Sequence, residues 1–282
     1  MTFADGSEAI YAISATASNW TDWVLQAQTG PTTIAGIGDT KIVSFGLPGF
    51  SSQGCAVLAN LMADSDSSVT TANNAAVITI TNGGAPAVLA RKGDLVSSDA
   101  EGNAQTGVKI NKFRDPVMGA TGKVAFMFTA SDPAEKSITA QFAQPAIAYS
   151  SDGTTWSVIA NTGAAAPGGG HWNRLLSMVL PEGAASGPIF TGTLKASPTE
   201  GVKKSDNLDI WAVNSSGTLQ LLLSDDDAVM LGDVSKTLRT FVALAPSVKS
   251  GGVASGCDDN GNVAITAIFN DGTRAIVDLP VP

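Results

Sequence analysis

Histidine, cysteine and positive charge are scarce in this chain, and each shortage removes a class of chemistry. One histidine, His171, stands among 282 residues, so a cluster of imidazoles around a metal is excluded and a Ser-His-Asp triad would have to be assembled around that residue. No Gly-x-Ser-x-Gly elbow, phosphate loop or dinucleotide fingerprint occurs. Lys and Arg number 16 against 25 Asp and Glu, a formal net charge of −9. With those cations scattered, nucleic acid and an anionic membrane find no basic stripe. Every apolar run is too short for a membrane span.

Repetition is what the chain has in abundance. A Pro follows an apolar run in Ser44-Phe45-Gly46-Leu47-Pro48, Phe113-Arg114-Asp115-Pro116, Met178-Val179-Leu180-Pro181 and Val242-Ala243-Leu244-Ala245-Pro246, at intervals of 68, 65 and 65 residues. A second marker keeps the same period: Trp23-Val24-Leu25-Gln26-Ala27-Gln28-Thr29-Gly30 reads almost like Trp156-Ser157-Val158-Ile159-Ala160-Asn161-Thr162-Gly163. Two independent markers in one register identify a repeat of about 65 residues.

The local chemistry makes each repeat a set of strands. Segments such as Lys123-Val124-Ala125-Phe126-Met127-Phe128-Thr129, Asp209-Ile210-Trp211-Ala212-Val213 and 262–269 are short, rich in β-branched or aromatic residues and bounded by turn formers. Asn82-Gly83-Gly84, Asp152-Gly153 and Ser216-Gly217 supply turns between the third and fourth strands, and Gly54, Gly122, Gly187 and Gly261 precede the second. Residues 52–63 are the ambiguous stretch, with enough Ala and Leu for a short helix.

Four strands per unit predict an all-β, propeller-like fold of about four, alternatively five, four-stranded blades in one domain over 1–282. The units run approximately 1–41 (partial), 42–107, 108–171, 172–237 and 238–282 (partial). Phe3-Ala4-Asp5-Gly6-Ser7-Glu8-Ala9-Ile10 matches Phe269-Asn270-Asp271-Gly272-Thr273-Arg274-Ala275-Ile276, 266 residues on. The partial ends are therefore expected either to complete one blade and close a ring, or to belong to a piece of a larger chain.

The succession Ala90-Arg91-Lys92-Gly93-Asp94, a Gly-rich linker over 95–112, Phe113-x-x-Pro116, a turn and Gly122-Lys123-Val124-Ala125-Phe126 resembles propeller-type repeats of bacterial secreted or surface-anchored proteins. Ala166-Pro167-Gly168 after Gly163 is similar to the linker of the same family. Nearly the whole chain is covered, with one departure: Ser224-Asp225-Asp226-Asp227 replaces the Gly that ends the fourth strand elsewhere. The resemblance implies the fold and an extracytoplasmic location, secreted or at the cell surface. It implies no activity, since members of this kind mostly lack an assigned one.

Candidate functional residues are few. Trp20, His171 and Trp172 lie near expected loops and are the candidates for contacting a sugar or aromatic ligand. Trp23 and Trp156 share a repeat position and are expected to pack. Asp258 and Asn260 place hard oxygens in a tight turn, a weak calcium pattern without the closing Glu. Cys55 and Cys257 fall in matching turns and are candidates for a disulfide across the closure. Asp115 and Glu182 are carboxylates that a glycosidase could use, although nothing pairs them.

Alternating strand direction sends the long segments 63–75, 131–145 and 196–207, together with the linkers 31–41, 94–110, 164–173 and 227–237, to one end of the stack. Long loops on a rigid scaffold are where binding concentrates. The leading expectation is a non-catalytic extracytoplasmic module binding a protein or glycan through that face, with no cofactor. The alternatives are a carbohydrate-active enzyme with carboxylates at the axis, or a structural spacer.

Overall fold

The structure is a computed structural model that describes residues 1–12, 24–64, 68–82, 84–119, 122–132, 142–181, 186–203, 207–243, 258 and 261–281. Trp20, Trp23, Glu182, Cys257 and Asn260 lie outside these residues.

The fold is all-β, and its strands form five antiparallel sheets in chain order. Sheet 1 is the pair β1 (Ala9–Ala12) and β2 (Val24–Gln28). Sheet 2 holds β3 (Gly30–Ile34), β4 (Gly38–Phe45), β5 (Gly49–Ser51), β6 (Gly54–Leu61), β7 (Ala75–Thr81) and β8 (Ala87–Arg91). Sheet 3 holds β9 (Lys109–Phe113), β10 (Val117–Met118), β11 (Val124–Ser131), β12 (Ala146–Ser150) and β13 (Ser157–Ala160). Sheet 4 runs β14 (Trp172–Val179), β15 (Ile189–Leu194), β16 (Leu208–Val213) and β17 (Leu219–Ser224). Sheet 5 runs β18 (Ala228–Leu231), β19 (Val234–Val242), β20 (Val263–Phe269) and β21 (Arg274–Leu279). No helix among the described residues is long and apolar enough to cross a membrane.

The ambiguous stretch 52–63 is strand: β6 pairs with β4 and β5 on one edge and with β7 on the other. Its apolar content reflects burial on both faces, the pattern of a central strand. Alternate residues of a strand face opposite sides of its sheet, so sheets 2, 3 and 4 each pack against a neighbour on both faces. Ile10 and Ala27 of sheet 1 meet Ile42, Cys55, Val57 and Ile78 of sheet 2. Ala56, Val77 and Leu89 on the other face of sheet 2 meet Val124, Phe126 and Phe128 of sheet 3. Met127 and Ile147 meet Trp172, Phe190 and Trp211 of sheet 4, whose Ile189 and Ile210 meet Ile265 and Phe269 of sheet 5. The sheets therefore stack face to face in chain order.

Backbones also approach closely along one line of the stack. A Cβ on Gly49 would sit 2.7 Å from Met118 N, and one on Gly119 would sit 2.8 Å from Pro181 O. These are the segments around the repeated Pro, and a side chain there would push successive sheets apart. Among the described residues β21 pairs only with β20, and β1 pairs as a strand only with β2. The two ends thus form separate sheets.

The linkers between sheets fold back on themselves. Those before sheets 2 and 5 are the hairpins β3–β4 and β18–β19. The other two close through the bridges Leu95↔Lys109, Ser98↔Ala104 and Ala165↔His171. Each fold-back begins with a positive φ at the same repeat position: Gly30 (125°), Gly93 (91°), Gly163 (85°) and Asp226 (77°). The departure in 224–227 is explained by this turn, where an Asp takes the left-handed conformation that Gly supplies in the other copies.

Candidate ligand-binding face

Side-chain bonds tie several of the long loops together at one end of the stack. Asp99, buried in the linker after β8, accepts the backbone N–H groups of Glu101 and Asn103 and the side-chain amides of Asn103 and Gln105. Asn161, at the end of β13, accepts the Ala100 N–H at 2.9 Å, and Glu101 accepts the Ala165 N–H at 3.1 Å. His171 Nδ1 lies 3.0 Å from Glu200 Oε1, joining the next linker to the β15–β16 loop.

An open groove of about 460 Å³ crosses this end where sheets 2 and 3 meet, lined by Asn73, Arg91, Lys92, Asp94, Lys109 and Asn111 among others. Arg91 donates from Nε to Asn73 O at 2.8 Å and from Nη2 to Ser68 O at 3.4 Å. Lys92 Nζ donates to Thr71 O at 2.6 Å and to Asn74 Oδ1 at 3.2 Å. Asp94 accepts the Arg91 N–H at 2.7 Å. Burial lowers the Arg91 pKa and raises that of Asp94, each partly offset by the charge of the other.

Two further features hold charge or shape. Asp209, at the start of β16, is 1% exposed and accepts a hydrogen bond from Ser224 Oγ. Burial first, then the charges of Asp225 and Asp227, push its carboxyl up to about 6. At the opposite, tight-turn end, a cleft of about 560 Å³ between sheets 3 and 4 is lined by Lys123, Tyr149, Ile159, Asn214, Ser215 and Leu219 among others.

The sequence-based candidates do not come together. His171 is on the long-loop face and half exposed. Trp172 is not a surface platform: it is 1% exposed and packs on Trp211 edge-to-face with ring centres 5.8 Å apart. The strand β14 begins at Trp172, so its ring turns into the seam between sheets 3 and 4. Trp156 sets its ring against Phe126 and Phe128, the packing role expected of its repeat position. Asp258 caps its own turn, accepting the Asn262 backbone and side-chain N–H groups. No group of three or more His, Cys, Asp or Glu among the described residues is arranged to hold a metal. Cys55 is a free, fully buried thiol, pushed up to about 12 by burial. Asp115 is exposed, and its carboxylate accepts the Leu47 N–H at 3.0 Å.

One family model matches residues 7–277, the Family of unknown function (DUF7453). The chain belongs to that family. Neither the curated proteins nor the solved structures contain a match to it. Membership in DUF7453 therefore covers the whole stack of sheets and leaves its function to be argued from the site. Sequence reasoning missed the Arg91–Lys92–Lys109 groove and the buried Asp209. A signal for the first was present: Arg91-Lys92 replaces Asn161-Thr162 of the sister copy.

Proposed function

We propose that this chain is a non-catalytic interaction module, acting outside the cytoplasm, that binds a glycan or a protein through its long-loop face. Its stacked sheets act as a propeller-like scaffold whose rigidity holds those loops. The observation that carries the reading is the set of bonds passing from loop to loop, Asn161 to Ala100, Glu101 to Ala165 and His171 to Glu200. Loops ordered before a ligand arrives lose less entropy on binding, which raises affinity. The secreted or cell-surface setting is supported by the repeat resemblance.

A carbohydrate-active enzyme is the second reading, favoured by the raised carboxyl of Asp209. Asp209 is closed to a saccharide by its burial, which keeps that reading second. The test is a glycan array probed with labelled protein, followed by titration of any hit. Ala104→Arg and Thr106→Arg, both on exposed loop residues, are expected to weaken the hit about tenfold. Ser215→Arg in the tight-turn cleft is expected to leave it unchanged. Loss with Ser215→Arg alone would move the binding surface to the opposite end and overturn the reading.

A further inference from the structure

We propose that the groove between sheets 2 and 3 is a binding site for an acidic saccharide, a sugar chain carrying carboxylate or sulfate groups. The proposal rests on the long-loop face being the binding surface, and it names the ligand class and the residues.

The groove presents cations from both walls, Arg91 and Lys92 from the end of β8 and Lys109 from the start of β9. None of the three lies within ion-pair distance of a carboxylate among the described residues, unlike Lys203 with Asp226 and Lys236 with Asp271. Asp94 lines the same groove and offsets part of the Arg91 charge without pairing with it, so in a chain with nine more acids than bases the groove still carries more cations than carboxylates and is available to an outside anion. Two of the cations are also held in place. The Asn73 and Ser68 carbonyls fix the Arg91 guanidinium, and the Thr71 carbonyl fixes the Lys92 ammonium. Such bonds to neutral oxygens orient the charge without neutralising it, so an arriving anion meets donors already aimed.

Repetition supplies the control. Strand pairing aligns Arg91-Lys92 with Gln28-Thr29 in sheet 1, Asn161-Thr162 in sheet 3 and Ser224-Asp225 in sheet 4. Those sheets stack on their neighbours without cations at these positions, so packing does not require Arg91 or Lys92. Lys109 aligns with Lys41, His171 and Thr237. Only the seam between sheets 2 and 3 brings all three cations together.

The remaining lining identifies the ligand. Asn73, Asn111 and Ser131 offer amide and hydroxyl groups suited to sugar hydroxyls, Asp94 adds one carboxylate, and no aromatic ring among the described residues lines the groove. A neutral sugar would rely on stacking against such a ring, so charge is what this site reads. The volume falls within the roughly 300–1,000 Å³ of small-molecule sites.

The experiment is calorimetric titration of the full chain with tetragalacturonate, with its methyl ester, and with inorganic sulfate. Tetragalacturonate is expected to bind, to weaken as salt is raised, and to lose most of its affinity when esterified. Arg91→Gln with Lys92→Gln should cost about tenfold or more, and Lys109→Gln several-fold. Lys41→Gln, at the matching position one seam earlier, should cost nothing. Arg91 braces the 68–73 loop, so each variant is also melted. Lys109 has no side-chain partner among the described residues, so Lys109→Gln remains decisive even if the double variant unfolds. Equal binding of the ester, sulfate binding as tightly as the tetrasaccharide, equal losses from Lys41→Gln and Lys109→Gln, or no binding would each overturn the assignment. An array hit sensitive to Ala104→Arg but not to Lys109→Gln would retain the binding face and remove this ligand class.

Discussion

At the loop end of the seam between sheets 2 and 3 stand Arg91, Lys92 and Lys109; at the matching positions one seam further on stand Asn161, Thr162 and His171. In the first seam the side chains leave an open cationic groove. In the second, Asn161 turns inward to bond Ala100 and His171 pairs with Glu200. The third seam is acidic: Ser224 and Asp225 occupy the strand end, and Asp209 stands where the other copies have Ala76 and Ala146. Beneath these differences the packing residue hardly changes, being Val77, Ile147 and Ile210 in turn. The seams share their apolar interior and differ at the strand ends, so stability and recognition are carried by different residues of one repeat.

The largest expected effect comes from breaking the shared interior. Phe126 is fully buried and touches Phe113, Phe128 and Trp156, so Phe126→Ala should cost about 3–5 kcal/mol in denaturant unfolding. Ile276, 83% exposed on the open face of sheet 5, should tolerate Ala with a change within about 0.5 kcal/mol. Comparable losses at both positions would contradict the stacking described.

The acidic seam yields a smaller effect with a definite sign. The folded pKa of Asp209 is raised to about 6, above the unfolded value of about 3.9. Between these values the unfolded chain gives up the proton first, so wild-type stability falls as pH rises through that window and the penalty is complete above it. Asp209→Asn keeps an acceptor for Ser224 Oγ and removes the buried charge. It should melt higher than wild type at pH 7.5, with the difference closing by pH 4. A lower melting temperature at pH 7.5 would contradict the burial argument.

The smallest effect belongs to the turn that opens each linker. Asp226 holds φ 77° where the other copies use Gly, so Asp226→Gly should stabilise by roughly 0.5–1 kcal/mol. The Lys203–Asp226 pair it removes is exposed at both ends and contributes little. Thermal melting of the two proteins checks the sign.

Much of this was legible in the order of residues. Short apolar runs between turn residues marked β11, β16 and β20, and the Pro and Trp markers set the repeat. The helix–strand ambiguity at 52–63 arose because a strand buried on both faces loses its alternation. The linker hairpins were hidden since Gly30-Pro31-Thr32-Thr33-Ile34 pairs through its backbone and carries little apolar signal. Trp172 lies beside a linker in sequence but begins a strand in space. Arg91-Lys92 in place of Asn161-Thr162 was the one trace of the groove, whose walls could not be joined from sequence because Arg91 and Lys109, 18 positions apart in the chain, meet only when sheets 2 and 3 stack.

The most direct test of the division between packing and recognition is to write one seam into another. Arg91→Asn with Lys92→Thr gives the end of β8 the residues that end β13. The account predicts a protein that melts within a few degrees of wild type and no longer binds tetragalacturonate. A variant that fails to fold, or that binds the acidic tetrasaccharide as wild type does, would contradict it.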